Sequence, residues 1–311
     1  MKTLIITGND ASAGCLKAAC RADTIVGMGT RLIVGPPPDR EAVMRIFGRV
    51  PGSTEGLKAL CQNFDRVELW FDPDAESQLA LALMLDYLRK DSQSIGNLTL
   101  VYPDVRLAEM MPESAISLRP PSEEVTNAHL ELASQVWGAW QSSAPEDLAS
   151  LLEEETSILP FVERTLLRLL DELPARNNGL AASELILLKL VGEEDTDSYR
   201  VLARYHREFW PGTYTGFDAG QLLDDLGHAE EPAILGLPPG PYDMALMEDE
   251  TRRKLYSSSP LTLSPFGQRL LAGGADFAEG GPSPRWWGGT ELTSRREWRW
   301  DAVTRKLHHL I

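Results

Sequence analysis

Cysteine is scarce and irregularly spaced: Cys15, Cys20 and Cys61 are all the chain has. An odd number with no C-x2-C pair is neither a disulfide framework nor a zinc site, and it suits a reducing compartment. The five histidines are scattered and pair with no cysteine in sequence, so no thiol nucleophile is indicated. No run approaches the roughly 18 to 20 apolar residues that cross a bilayer. The longest apolar stretch, residues 79–85, reads as part of a buried helix. The opening MKTLIITGND has one lysine and three clearly apolar residues in a row. A Gly-Asn-Asp turn then stands where a signal peptide would carry its cleavage site, so no secretory leader is expected. These absences predict a cytoplasmic protein that makes no membrane contact. G-x-G-x-x-G, G-x4-G-K-[ST] and G-x-S-x-G are missing too, so no motif declares an enzyme or denies one.

Of the 311 residues, 43% are hydrophobic and 24% charged, the balance of a folded globular protein long enough for two domains. The net charge is -16, but it is unevenly spread. Residues 1–120 carry -2, residues 121–250 carry -19 and residues 251–311 carry +5. A surface coated all over with nucleic acid or anionic lipid is therefore excluded. The near-neutral N-terminal part and the basic tail escape that argument.

Apolar β-branched runs at residues 3–7 (TLIIT), 67–71 (VELWF) and 98–102 (LTLVY) read as buried strands. Residues 24–26 and 31–34 are shorter candidates. Helical spacing falls between them, at 11–20, 40–49, 54–64 and 75–90. Strands separated by helices predict an α/β domain over 1–120, a parallel sheet with helices on both faces. Arg119-Pro120-Pro121 ends it, and helical spacing takes over at 123–140, 145–155, 159–173, 182–191, 199–209 and 218–226. Residues 121–311 are thus expected to form a mainly helical domain. Its 179–311 part has helices at 179–191, 218–226 and 261–273 and a hairpin at 285–300, a winged-helix-like order. Trp137 and Trp140 share one helix face and read as core. Asp195 and Asp197 read as a solvated acidic turn.

In open parallel sheets ligands bind beyond the carboxyl ends of the strands. Two such ends are polar here. The first strand runs into Asn9, Asp10, Ser12 and Gly14, the second into Asp72, Asp74 and Gln78. If the two strands are close, Asn9, Asp10, Ser12, Gly14 and Gln78 can hold a small anionic ligand on helix-start N–H groups. Asp72 and Asp74 offer the oxygen ligands that magnesium takes. The plainer reading is that Asp10 and Ser12 only cap the first helix and Asp72 or Asp74 the second.

The whole chain resembles bacterial proteins carrying the domain of unknown function 1835. The resemblance rests on ITGNDASAGCLKAA, VELWFDPDAESQLALALMLDYL, TNAHLELASQVWGAW, ILPFVERTLLRLLDELPARNNGLAASE, LTLSPFGQRLLAGGADF and RWWGGTELTSRREWRWD. The family's Trp-x-Asp strand end before a Gly-Pro turn is replaced here by residues 28–36, MGTRLIVGP. The resemblance implies a bacterial protein and assigns no reaction. In addition, LWFDPDAESQLALAL is similar to the Asp-x-Asp strand end of Toprim domains, which bind magnesium. That similarity implies a magnesium-dependent phosphoryl-transfer or nuclease-like enzyme as the alternative to a ligand-binding protein with a helical interaction domain. A third reading uses the tail, where Arg285, Arg295, Arg296 and Arg299 alternate with tryptophans as on a surface for single-stranded nucleic acid. Against it stands a hairpin whose tryptophans pack on the helical domain while its arginines neutralise that domain's acids.

Overall fold

The computed structural model describes residues 1–89, 96–193, 196–209 and 213–310. The chain divides into two compact units, residues 1–167 and 168–311. The first unit is built on a five-stranded sheet in the order β2-β1-β3-β4-β5. Its strands are β1 (Thr3–Thr7), β2 (Thr24–Gly27), β3 (Arg66–Trp70), β4 (Leu98–Val101) and β5 (Ser122–Glu124). The first four run parallel, and β5 pairs antiparallel with β4.

Both faces of the sheet are covered. On one face Ile5, Ile25, Trp70 and Val101 pack with Ala13, Cys15 and Leu16 of helix α1 (Asp10–Ala18) and with Ala115 of α5 (Pro112–Ser117). The opposite face presents Leu4, Ile6, Leu69 and Leu100, all almost fully buried. Right-handed crossovers direct α4 (Ala75–Arg89) to that side. Helix α4 is buried nearly all round because α6 (Asn127–Gln141) packs along it, with Ser134 donating to Asp86 at 2.7 Å. Trp137 and Trp140 are core residues, as their spacing predicts. The shorter helices α2 (Arg40–Gly48), α3 (Leu57–Gln62) and α7 (Pro145–Ser150) complete the unit. Helix α8 (Val162–Asp171) carries the division between the units.

The second unit is mainly helical and ends in hairpins. It holds α9 (Ala182–Val191), α10 (Ser198–Glu208), α11 (Gly216–His228), α12 (Met244–Glu248), α13 (Glu250–Ser257) and α14 (Pro265–Leu271). A two-residue ladder joins β6 (Ile234–Leu235) to β7 (Thr262–Leu263). Two hairpins follow, β8 (Arg285–Trp287) with β9 (Thr290–Leu292), and β10 (Trp298–Asp301) with β11 (Lys306–His309). No helix of the described residues is long and apolar enough to cross a membrane.

Several expected elements differ. Residues 31–34 form no strand, because the N–H groups of Leu32 and Ile33 go to the Glu76 carboxylate instead of a ladder. Residues 122–124 form the strand β5 where a helix was expected, and α6 starts only after Thr126, whose N–H donates to His129 Nδ1 at 3.0 Å. The expected break at Pro120 accordingly falls inside the first compact unit, since β5 and α6 both pack there. The single hairpin expected over 285–300 is two. The first turns at Gly288, whose positive φ of 54° suits glycine, and the second adds residues 306–309.

Candidate functional site

Strand order decides where the polar ends meet. From β1 the chain moves outward to β2, whereas β3 lies on the other side of β1 and leads on to β4. The carboxyl ends of β1 and β3 therefore flank the point where the sheet's winding reverses. At that point β1 passes very close to the start of α4. A Cβ on Gly8 would stand 3.0 Å from Ser77 Oγ and 3.2 Å from Ser77 Cβ, so only glycine fits without a shift.

The side chains then knit the two strand ends together. Asn9 caps α1, its Oδ1 accepting from the Ser12 N–H at 2.8 Å. The Ser12 hydroxyl crosses to β3 and donates to Asp72 Oδ2 at 3.0 Å. Asp72 Oδ1 accepts from the Leu107 N–H at 3.3 Å. Gln78 Nε2 donates to the Asp72 carbonyl at 2.9 Å. Asp74 is the cap of α4, accepting from the Ser77 N–H and the Ser77 hydroxyl, each at 2.9 Å. Arg106, on the segment leaving β4, brings Nη2 to 3.9 Å from Asp74 Oδ2 and Nη1 to 2.7 Å from Glu109 Oε1. Glu76 completes the wall. It takes the Leu32 N–H at 2.7 Å and the Ile33 N–H at 3.1 Å, and the Leu32 carbonyl accepts from Trp140 Nε1 at 3.0 Å.

Asp72 is the electrostatic centre of this group. Only 2% exposed, it is pushed up to about 6, first by burial and then by the charge of Asp74. Hydrogen bonds from Ser12, Leu107 and Ala108 pull the other way and do not offset the burial. Near pH 6 this carboxyl is thus half protonated, able to accept in one state and donate in the other.

Asn9, Ser12, Asp72 and Gln78 are therefore joined as the sequence predicts, and Asp74 lies beside them. Asp10 stands apart: it is exposed and turned toward the end of β2, its Oδ1 2.6 Å from where a Cβ on Gly27 would sit. Gly14 faces outward from α1 with open space beyond it. Asp72 is held by Ser12 and Leu107 and Asp74 by Ser77, and no group of three His, Cys, Asp or Glu among the described residues is placed to hold a metal. Arg106 and Glu76 were not foreseen. The strand-end rule points to Arg106 once the segment after β4 is included, but the Glu76 contacts depend on a loop fold with no local signature.

The tail turns part of its aromatic and basic content inward, while Trp286 and Arg295 stay exposed. Trp287 and Trp300 are buried, their indole N–H groups donating to the Leu169 carbonyl at 2.7 Å and to Asp171 Oδ1 at 2.9 Å. Arg296 grips buried Glu184 with two hydrogen bonds, 2.7 and 2.8 Å, and holds that carboxyl down at about 2 against a strong burial effect. Arg299 pairs with Asp276 at 2.9 Å, and Arg285 donates to Tyr214 and to the Glu172 carbonyl. Of the four arginines between residues 285 and 299 only Arg295 is exposed. The acidic-turn reading is half visible: Asp197 caps α10 through the Arg200 N–H at 2.8 Å, and Asp195 lies outside the described residues.

No family model matches the chain, and no curated protein matches it. Among solved structures the chain is similar to the topoisomerase II DNA-binding, cleavage and re-ligation domain of Plasmodium falciparum. The TM-score is 0.41 and the identity 11%, over 86% of this chain. The match spans 48% of that chain, about half its length.

Proposed function

We propose that the α/β unit binds a small anionic or nucleotide-like ligand at the ends of β1 and β3, and that the helical unit is its interaction or regulatory part. The observation that carries this reading is the Ser12–Asp72 hydrogen bond at the reversal point of the sheet. It draws polar groups from both strand ends into the place where doubly wound sheets receive ligands. Arg106 supplies the cation, and Asp72 holds the two strand ends together through Ser12 and Leu107. The same reading sets the protein in the cytoplasm of a bacterium, among proteins with the domain of unknown function 1835. Its three free cysteines and the ITGNDASAGC start support that placement.

Thermal shift with inorganic phosphate, ADP and ADP plus magnesium tests the proposal. At about 100 times Kd a ligand adds about 2.7 kcal/mol to stability, a shift of several degrees. ADP or phosphate should raise the midpoint of the wild type, and Arg106→Gln and Ser12→Ala should lose most of that rise. An absent shift, or an equal one in both variants, overturns the site.

A further inference from the structure

The helical unit holds a cavity that the strand-end site does not use. It measures about 350 Å³ and lies where α10 meets α12 and α13. That volume is at the lower end for small-molecule sites and suits one or two fused rings. Its lining is unusually aromatic. Tyr199, Tyr242 and Tyr256 contribute to it, with Leu202 and Ala203 as the apolar floor. The Tyr242 and Tyr256 rings stand 4.9 Å apart at 58°, and Phe217 continues the row behind Tyr242 at 5.5 Å. Tyr199, by contrast, is 66% exposed. No ring among the described residues stacks on it.

Two polar features give the cavity a chemical preference. Arg253 lines it, held in place by a 2.9 Å hydrogen bond from Nη1 to the Met247 carbonyl. No carboxylate among the described residues lies in ion-pair range of Arg253, although the neighbouring Lys254 pairs with Glu250 at 2.7 Å. The Tyr256 hydroxyl is buried and has no hydrogen-bond partner among the described residues. Aromatic walls favour a flat ring by offset and edge-to-face contact. A fixed guanidinium favours a carboxylate or a similar anion. We infer that this cavity is a binding site for an aromatic monoanion, a one- or two-ring compound bearing a carboxylate, with the ring against Tyr199 and Tyr242 and the anion at Arg253. The site is independent of the strand-end crevice.

Calorimetric titration of the full chain with indole-3-acetate, with neutral indole and with cyclohexylacetate tests the assignment. Indole-3-acetate should bind with one-to-one stoichiometry, about tenfold tighter than either comparison compound. Arg253→Gln should erase the advantage over indole, and Tyr199→Ala should weaken both ring compounds by about tenfold. Both side chains are exposed, so both variants should fold. Ala203→Trp, checked for an unchanged circular dichroism spectrum, should fill the cavity and abolish binding. The assignment is overturned by no saturable binding of indole-3-acetate, by equal affinity for indole, or by binding that survives Ala203→Trp. Ser12→Ala and Arg106→Gln should leave this titration unchanged, which separates it from the strand-end site.

Discussion

Two buried carboxyls with opposite shifts make the protein's pH response readable at single residues. Asp72 titrates higher in the folded chain than in the unfolded one, about 6 against 3.8. Its contribution is fully present below about pH 4 and is lost as pH rises through 6. Asp72→Asn should therefore be more stable than the wild type at pH 8, by about 2–3 kcal/mol, and equal to it near pH 3.5. Urea unfolding at the two pH values measures this, and a constant gap would contradict the buried-charge account. Glu184 is shifted the other way, to about 2, so its support is present above the usual carboxylate range and disappears only as pH falls through 2. Its partner cannot be removed cheaply. Arg296→Met leaves buried Glu184 with only the more distant Arg285, at 3.7 Å, as its cation, and should cost about 3 kcal/mol, seen as a lower urea midpoint by tryptophan fluorescence.

Single elements show where local sequence determines structure and where it does not. Strands β1, β3 and β4 were legible because their β-branched and apolar runs need burial on both faces. Helix α4 was legible from its apolar surround. Strand β5 was not: Ser122, Glu123 and Glu124 are all exposed and have poor strand propensity. It exists because β4 offers an unpaired edge and Tyr102 donates to Glu123 at 2.6 Å. In the site, the Asp74 cap was foreseeable from residue type, since Asp opens helices, whereas α1 is capped by Asn9 and not by the expected Asp10 or Ser12. The Ser12–Asp72 contact needed the strand order, which composition does not supply. Segment 28–34 follows the same logic, depending on a carboxylate 40-odd positions away. Glu76→Ala should speed amide exchange at Leu32 and Ile33 by about tenfold while the exchange of β1 amides stays fixed. Unchanged rates at Leu32 and Ile33 would show that Glu76 does not hold the loop.

On the scale of the whole molecule, charge is segregated by depth as well as by sequence. The basic tail looks available for nucleic acid in a linear reading, yet three of the four arginines between residues 285 and 299 face buried or half-buried acceptors. Arg285, Arg296 and Arg299 thus neutralise interior acid, while Arg253, Lys254, Arg269, Arg295, Arg305 and Lys306 stay on the outside. A fluorescently labelled single strand should show no saturable binding tighter than about 10⁻⁴ M at physiological salt, and Arg295→Ala should change nothing. Tight, salt-sensitive binding would restore the nucleic-acid reading.

The start of α4 makes three ties from alternate positions, one within itself and two to neighbours. Asp74 satisfies the helix's own N–H, Glu76 holds the loop after β2, and Gln78 holds the backbone of Asp72. Their directions around the axis are fixed by the helical pitch, so losing one residue between 74 and 78 would swing the later contacts by about 100°. That stretch should accept exchanges of side chain one at a time, yet refuse any change in its length.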